Sequence, residues 1–372
     1  MKLEGVRVLD LGLFLPGPHL TQIMADHGAE VIKLEPPGEG DPGRHIGLAE
    51  HGTTVFFRNM NRGKKSVCLN LKTPEGREAV LALAETVDVF IEAFRPGVAQ
   101  RLGVDYEAVS ARNPRIVYCS ISAFGQTGPY RDVPAHDLAT EAYAGITSIS
   151  LGMDDQPTMP PVPVADYAAA YMALSGILMA LLRREQTGLG DWLDIAMYDS
   201  ALGCLQNVLG PVFVEKRNPI PKHERSWGGA AFYRIYRTRD ARHVVLGAQE
   251  IKFARALLTE WGRPDLIALC ERGPGPHQAP VMEFLQGVFE TRTQAEWVEW
   301  FRGRDIGFAP VRTLREAFND PQTIAREMRL VDELGQEHIG LPIKFAREPG
   351  RPDFRVPQPG EHTGEILARL GR

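Results

Sequence analysis

A chain of 372 residues that is 44% hydrophobic and 24% charged has enough apolar material for two cores and no compositional mark of disorder. Its formal net charge of -5 excludes the basic excess of a nucleic-acid binder, and Cys68, Cys119, Cys204 and Cys270 form neither a CxxC pair nor a His/Cys cluster with zinc-ligand spacing. Such widely spaced cysteines, after a start at Met1-Lys2-Leu3-Glu4 with no apolar signal core, point to reduced thiols in a soluble, cytoplasmic protein that binds no metal.

The opening reads as a βαβ unit: a strand over Val6–Leu11, a turn at Pro16-Gly17-Pro18, a helix over His19–His27 stopped by Gly28, and a strand over Glu30–Leu34. Such units predict right-handed crossovers and a parallel sheet. Residues 36–52 are rich in Gly and Pro and read as an excursion. A strand over Ser66–Leu71, a helix over Pro74–Thr86 and strands over Val87–Glu92 and Arg115–Ser122 then predict a doubly wound, Rossmann-like α/β domain.

Next come a helical stretch over Asp137–Thr147, a proline-rich run and a long apolar helix after Asp166. The run Tyr167–Leu182 is short for a membrane span and reads as a buried helix. Trp192–Met197 resembles another strand. Beyond it, Phe232–Glu316 alternates a hairpin-like stretch with short helices and predicts a smaller α+β domain. From Asp320 the chain is proline-rich and extended, as if wrapping back over the large domain or a partner subunit. The expected layout is 1–206 for the first part of the large domain, 207–319 for linker and small domain, and 320–372 for the returning segment.

The first βα turn fails the dinucleotide fingerprint. Leu11-Gly12-Leu13-Phe14-Leu15-Pro16-Gly17 is not G-x-G-x-x-G, and its bulky residues would block a pyrophosphate. Asp166, just before an apolar helix, suits a helix N-cap. The same helix start would keep a carboxylate ionised and rigid, fit to act as nucleophile or base. His136 is by default a structural histidine, but with Asp166 it could flank one substrate carbon. Phe94-Arg95-Pro96-Gly97 follows a strand end, where ligands of open α/β sheets bind, and Arg95 could take a phosphate there. Lys64, Lys65 and Arg101 could add positive charge or merely form a solvated face. Residues 226–232, with Gly228 and Gly229, read as a linker or a mobile lid. Tyr167, Tyr171 and Met172 suit an apolar acyl site or core packing equally.

Several segments, in order, resemble one family. They are Val8-Leu9-Asp10-Leu11 with the run 25–38, Asn61-Arg62-Gly63-Lys64-Lys65-Ser66-Val67, Phe94-Arg95-Pro96-Gly97-Val98, Phe124-Gly125-Gln126-Thr127-Gly128-Pro129, the run 187–197 and Gly360-Glu361-His362-Thr363. The family is that of the class III CoA-transferases, which includes L-carnitine dehydratase and bile-acid-inducible protein F. The resemblance implies a Rossmann-like large domain built from both ends of the chain, a small inserted domain and an interlocked homodimer. It places the family's nucleophilic aspartate at Asp166, with acyl-CoA and a carboxylic acid as substrates and no tightly bound cofactor. It makes Phe94 and Arg95 the CoA-contacting segment, to which charge alone adds Lys64 and Arg101 as further candidates, and relates Gly228 and Gly229 to a flexible glycine loop.

The family also contains α-methylacyl-CoA racemases, which resemble this chain at Ala135-His136-Asp137 and at Gly247-Ala248-Gln249-Glu250-Ile251-Lys252-Phe253. That resemblance implies an acid/base pair of His136 and Asp166, with Glu250 as a further candidate. The sequel Leu138-Ala139-Thr140-Glu141 departs from the racemases' usual Ile-Asn-Tyr, and the excursion from Glu39 to Phe57 is transferase-like, so the balance favours transfer. A non-catalytic acyl-CoA binding protein is the alternative of another class, weakened by Asp166, which a pure binder would not need.

Overall fold

Six parallel strands form the centre of the larger of two units in this computed structural model, which describes residues 1–152, 154–225 and 227–371. They are β1 (Arg7–Leu11), β2 (Glu30–Glu35), β3 (Lys65–Cys68), β4 (Val89–Glu92), β5 (Val117–Ser122) and β6 (Asp191–Ala196), in the order β3-β2-β1-β4-β5-β6. Val8 of β1 pairs with Val31 on one side and Val89 on the other. β4 and β5 are buried throughout, which is why they read as continuous apolar runs rather than alternating ones. The strand order reverses between β1 and β4, and the loops at their carboxyl ends flank the crevice where ligands of such sheets bind.

The helices of this unit are α1 (Pro16–Asp26), α2 (Val55–Asn61), α3 (Pro74–Ala84), α4 (Val98–Leu102), α5 (Tyr106–Arg112), α6 (Asp137–Tyr143), α7 (Val164–Thr187) and α8 (Met197–Gly203), followed near the end by α12 (Thr363–Arg369). Proline in its first turn sets the start of α1, and Gly28, at φ +107°, takes the chain out of it into β2. The Thr73 hydroxyl accepts from the Gly76 amide at 3.1 Å and starts α3.

Several boundaries differ from the sequence reading. The Gly/Pro excursion leads into α2, which the reading left out. The helical stretch after Asp137 stops at Tyr143, and a separate turn follows over Ile146–Ile149. α7 begins at Val164, with Pro163 at the cap position, so Asp166 lies inside the first turn and is not an N-cap. α7 is long and apolar enough to cross a membrane by length and composition alone. One face, with Ala165, Ala169, Ala173 and Ile177, is buried, while Tyr171, Met172, Met179 and Leu182 are exposed. Tyr171 and Met172 are therefore not core residues.

The unit comprises Met1–Thr147, Met159–Cys204 and Pro321–Arg372. The C-terminal segment lies against it: the Gly63 amide donates to the Arg355 carbonyl at 2.7 Å, the His362 amide donates to the Ser66 carbonyl at 2.9 Å, and Ile366 enters the core beside Val67.

The second unit comprises Ser148–Thr158 and Leu205–Asp320, so a short piece before α7 belongs to it as well. It holds an antiparallel sheet of β7 (Tyr233–Arg237), β8 (His243–Gly247) and β9 (Phe308–Pro310). Helices α9 (Ile251–Glu260), α10 (Ala279–Phe289) and α11 (Gln294–Phe301) supply Leu257, Leu285, Phe289 and Trp297 to its core. α11 opens with a capping box in which the Thr293 hydroxyl accepts from the Glu296 amide and the Glu296 carboxylate accepts from the Thr293 amide.

Candidate active site

The turn from β1 into α1 is held by buried charges. Asp10 is fully buried and accepts from the Gly12 amide at 2.8 Å and the Thr21 hydroxyl at 2.6 Å. Lys64 Nζ lies 3.3 Å from Asp10 and also donates to Asn61 and to the Pro18 carbonyl, while Lys33 Nζ donates to the Gly12 carbonyl and pairs with Asp41 at 2.7 Å. Burial works to raise the Asp10 carboxyl, but Lys64 and Lys33 hold it below the usual carboxylate range. The Asp10 side chain thus occupies the amide that a dinucleotide fold would present to pyrophosphate, and a Cβ on Gly12 would sit 2.8 Å from Asp10 Oδ1. Lys64 belongs to this network, neither on a solvated face nor with its ammonium free for a ligand. Burial lowers it to about 7.

That turn carries Leu13, Phe14 and Pro16 to the wall of a cavity of about 730 Å³ at the carboxyl ends of the strands. Phe94 and Arg95 after β4, Ser122 and Phe124 at β5 and Met197 after β6 line it too, together with His136 and Asp166. The position is the one the strand-order reversal dictates. Glu92, buried at the end of β4, accepts from the Phe94 amide at 2.8 Å and fixes the turn that presents Phe94 and Arg95. Burial pushes Glu92 up to about 7.

His136 caps α6 with its backbone and is exposed, its ring edge-on to Phe14 with centroids 6.3 Å apart. Asp137 and Glu141 of α6 face the start of α7: Asp137 Oδ1 accepts from the Asp166 amide at 3.1 Å and Glu141 Oε1 from the Val164 amide at 2.8 Å. These two side chains supply the capping that the sequence reading gave to Asp166. The Asp166 carboxylate accepts no hydrogen bond from any described residue. Burial first, then Asp137 and Glu141, raise it to about 7. The expectation that the helix start keeps Asp166 ionised is therefore corrected, because two other acids already hold the helix's first amides.

Of the sequence candidates, His136, Asp166, Phe94 and Arg95 come together on one cavity. Arg101 lies outside its lining, exposed on α4, with a guanidinium nitrogen beside Gly97 opposite one from Arg131. Arg131 lines the cavity and was not singled out from sequence; its Nε donates to the Gln126 carbonyl at 3.0 Å. Asp137 and Glu141 were also passed over, although two acids four residues apart share one helical face. Tyr167, Tyr171 and Met172 are not among the lining residues.

In the second unit, Glu250 occupies the N-cap position of α9 without a side-chain capping bond. Gly228 adopts φ +88°, and a Cβ on Gly229 would lie 2.2 Å from the His223 carbonyl oxygen, so both glycines serve a tight turn. That turn is tied down: the Gly229 amide donates to the Glu224 carbonyl and Arg234 to the Gly228 carbonyl. Ser226, the first residue of the expected loop, lies outside the described residues.

A family model described as CoA-transferase family III matches residues 3–363. The succinyl-CoA–D-citramalate CoA-transferase of Chloroflexus aurantiacus is 32% identical over 385 residues, covering 99% of this chain and 94% of that protein. The acetyl-CoA:oxalate CoA-transferase of Acetobacter aceti is 33% identical over 357 residues, covering 92% and 89%. The crystal structure of a CAIB/BAIF family protein from Brucella suis superposes with a TM-score of 0.85 at 30% identity over 99% of both chains.

Proposed function

Because the chain belongs to CoA-transferase family III, we propose that it moves coenzyme A from an acyl-CoA thioester to a carboxylic acid, with Asp166 as covalent nucleophile. The observation that carries this reading is a carboxylate with no hydrogen-bond partner among the described residues, on the wall of the switch-point cavity with Phe94 and Arg95. An ionised, underbonded carboxylate is a better nucleophile than one fully hydrogen-bonded.

In this mechanism an Asp166 oxygen attacks the thioester carbonyl, the C–S bond breaks, and a mixed anhydride and CoA thiolate result. The thiolate attacks the aspartyl carbonyl, releasing the donor's carboxylate and leaving an aspartyl thioester. The acceptor carboxylate attacks that carbonyl, expels the thiolate, and is itself attacked at its acyl carbon by the thiolate, which restores Asp166. No electron transfer or net proton is needed, so the reading requires CoA thioester as substrate and no tightly bound cofactor. Arg95 binds a CoA phosphate, and the Phe94 and Phe124 side of the cavity takes apolar substrate surface.

The reading extends to a cytoplasmic homodimer. The exposed apolar row Tyr171, Met172, Met179 and Leu182 on α7 supports burial against a second subunit.

One observation favours a second reading. His136 and Asp166 face one cavity, as α-epimerisation of a 2-methylacyl-CoA would need. The two separate in one assay. Purified enzyme is given succinyl-CoA or acetyl-CoA with a panel of acids beginning with citramalate and oxalate. Transfer predicts a new acyl-CoA that the Asp166→Asn variant does not make. No new thioester, with solvent deuterium entering a 2-methylacyl-CoA and lost in His136→Ala, would establish epimerisation; binding without either would leave a carrier role.

A further inference from the structure

Glu141 is fully buried on α6, yet only one of its carboxyl oxygens meets a donor. Oε1 accepts from the Val164 amide, while Oε2 has no hydrogen-bond partner among the described residues. The group beside it is the carboxylate of Asp137, four residues earlier on the same helix. Two adjoining carboxylates, one fully buried and one partly so, are costly as two anions; one proton on Glu141 turns its idle oxygen into a donor to Asp137. Burial most of all, and then Asp137 against the pull of the Val164 amide, hold Glu141 above the usual carboxylate range.

We propose that Glu141 is a positioning residue of the transfer reaction: as the neutral acid of a proton-sharing pair with Asp137, it closes the first turn of α7 and leaves one negative charge, not two, beside Asp166. The proposal rests on the reading of Asp166 as nucleophile. Two anions would drive Asp166 toward its protonated, unreactive form. With neither acid at the turn, the free amides and helix dipole would stabilise the carboxylate and blunt it.

The remaining groups around the pair leave it this role. α7 brings Asp166 and Tyr167 to the pair, and α8, packed on both α6 and α7, brings Tyr198 and Asp199. α1 contributes His19, whose ring stands edge-on to Tyr167 at 5.0 Å. β5 and β6 behind α7 carry Cys119 and Asp194. His136, Arg95 and Arg131 line the cavity on its open side. Among the described residues none of these groups hydrogen-bonds to Glu141, so Asp137 is the acceptor available for its proton.

The test has two arms. In the Asp166→Asn background, infrared spectra at about neutral pH should show a buried carboxylic acid C=O band that disappears in Asp166→Asn/Glu141→Gln. In otherwise wild-type enzyme, E141Q keeps the acceptor for Val164 and gives Asp137 a permanent donor. It should retain kcat within about threefold near neutrality and keep the acid limb of its kcat/KM profile where wild type has it, because an amide and a neutral acid leave the same single charge beside Asp166. E141L loses the cap and should lower kcat on the order of tenfold with KM for acyl-CoA unchanged. An unchanged infrared difference, or an E141Q acid limb displaced to lower pH, would overturn the proposal. Absence of an Asp166 adduct in wild-type enzyme with the infrared band intact would instead overturn the nucleophile reading, and the transfer role of Glu141 with it.

Discussion

The backbone amide of Asp166 donates to the carboxylate of Asp137 at 3.1 Å, so the proposed nucleophile sits at a helix start whose amides are already committed to other acids. Its own carboxylate gains burial and like charge without compensation, which raises it to about 7. The nucleophile must be ionised, so kcat/KM should fall about tenfold per pH unit below about 7 and level off above it. A pH–rate profile checks this. An acid limb near the ordinary carboxylate range would mean that the acids of α6 do not govern Asp166.

The same shift bears on stability. A carboxyl raised in the folded state binds its proton more tightly there than in the unfolded chain, so the cost of ionising it builds as pH rises from 3.8 through about 7 and is fully present above. Asp166→Asn removes that cost. The variant should be more stable than wild type by about 1 kcal/mol at about pH 8, and indistinguishable at about pH 4. Urea midpoints at the two pH values check the prediction.

Arg95→Ala should raise KM for acyl-CoA on the order of tenfold and change kcat little, since a charge-assisted phosphate contact away from the reacting carbonyl binds substrate and transition state alike. Initial-rate kinetics with one acyl-CoA and its dephosphorylated analogue should show the penalty shrinking for the analogue.

Lys64→Met should behave differently. Removing one partner of the buried Lys64–Asp10 pair leaves Asp10 and Lys33 imperfectly balanced inside the βα turn, at a cost of about 3–5 kcal/mol. Denaturation should therefore move far more than KM for acyl-CoA does. A folded variant with normal stability and a raised KM would return Lys64 to the ligand.

The strands were legible because β4 and β5, buried on both faces, leave continuous apolar runs, and Gly28 and the prolines mark the first turns. α2 was not, because it sits at the end of a Gly/Pro-rich excursion. Asp166 stands out in the sequence as a candidate acid but not as a residue of the first helical turn: Pro163 occupies the cap position, and an Asp ahead of a long apolar run reads as the cap itself. The role of Asp137 and Glu141 depends on α6 packing against the start of α7, which no local pattern encodes. Lys64 and Lys65, which the sequence alone leaves open to a ligand or a solvated face, are committed by the same kind of long-range packing. Arg62 pairs with Asp26, Lys64 with Asp10 and Lys65 with Glu30, all on elements that come earlier in the chain.

The central claim is a covalent step at Asp166, and mass spectrometry tests it most directly. Enzyme incubated with an acyl-CoA donor is quenched with hydroxylamine or borohydride, digested and mapped. The account predicts a hydroxamate or reduced side chain at Asp166 that depends on acyl-CoA and is absent from Asp166→Asn. Turnover of acyl-CoA and acid to a new thioester with Asp166 unmodified under every quench would contradict it.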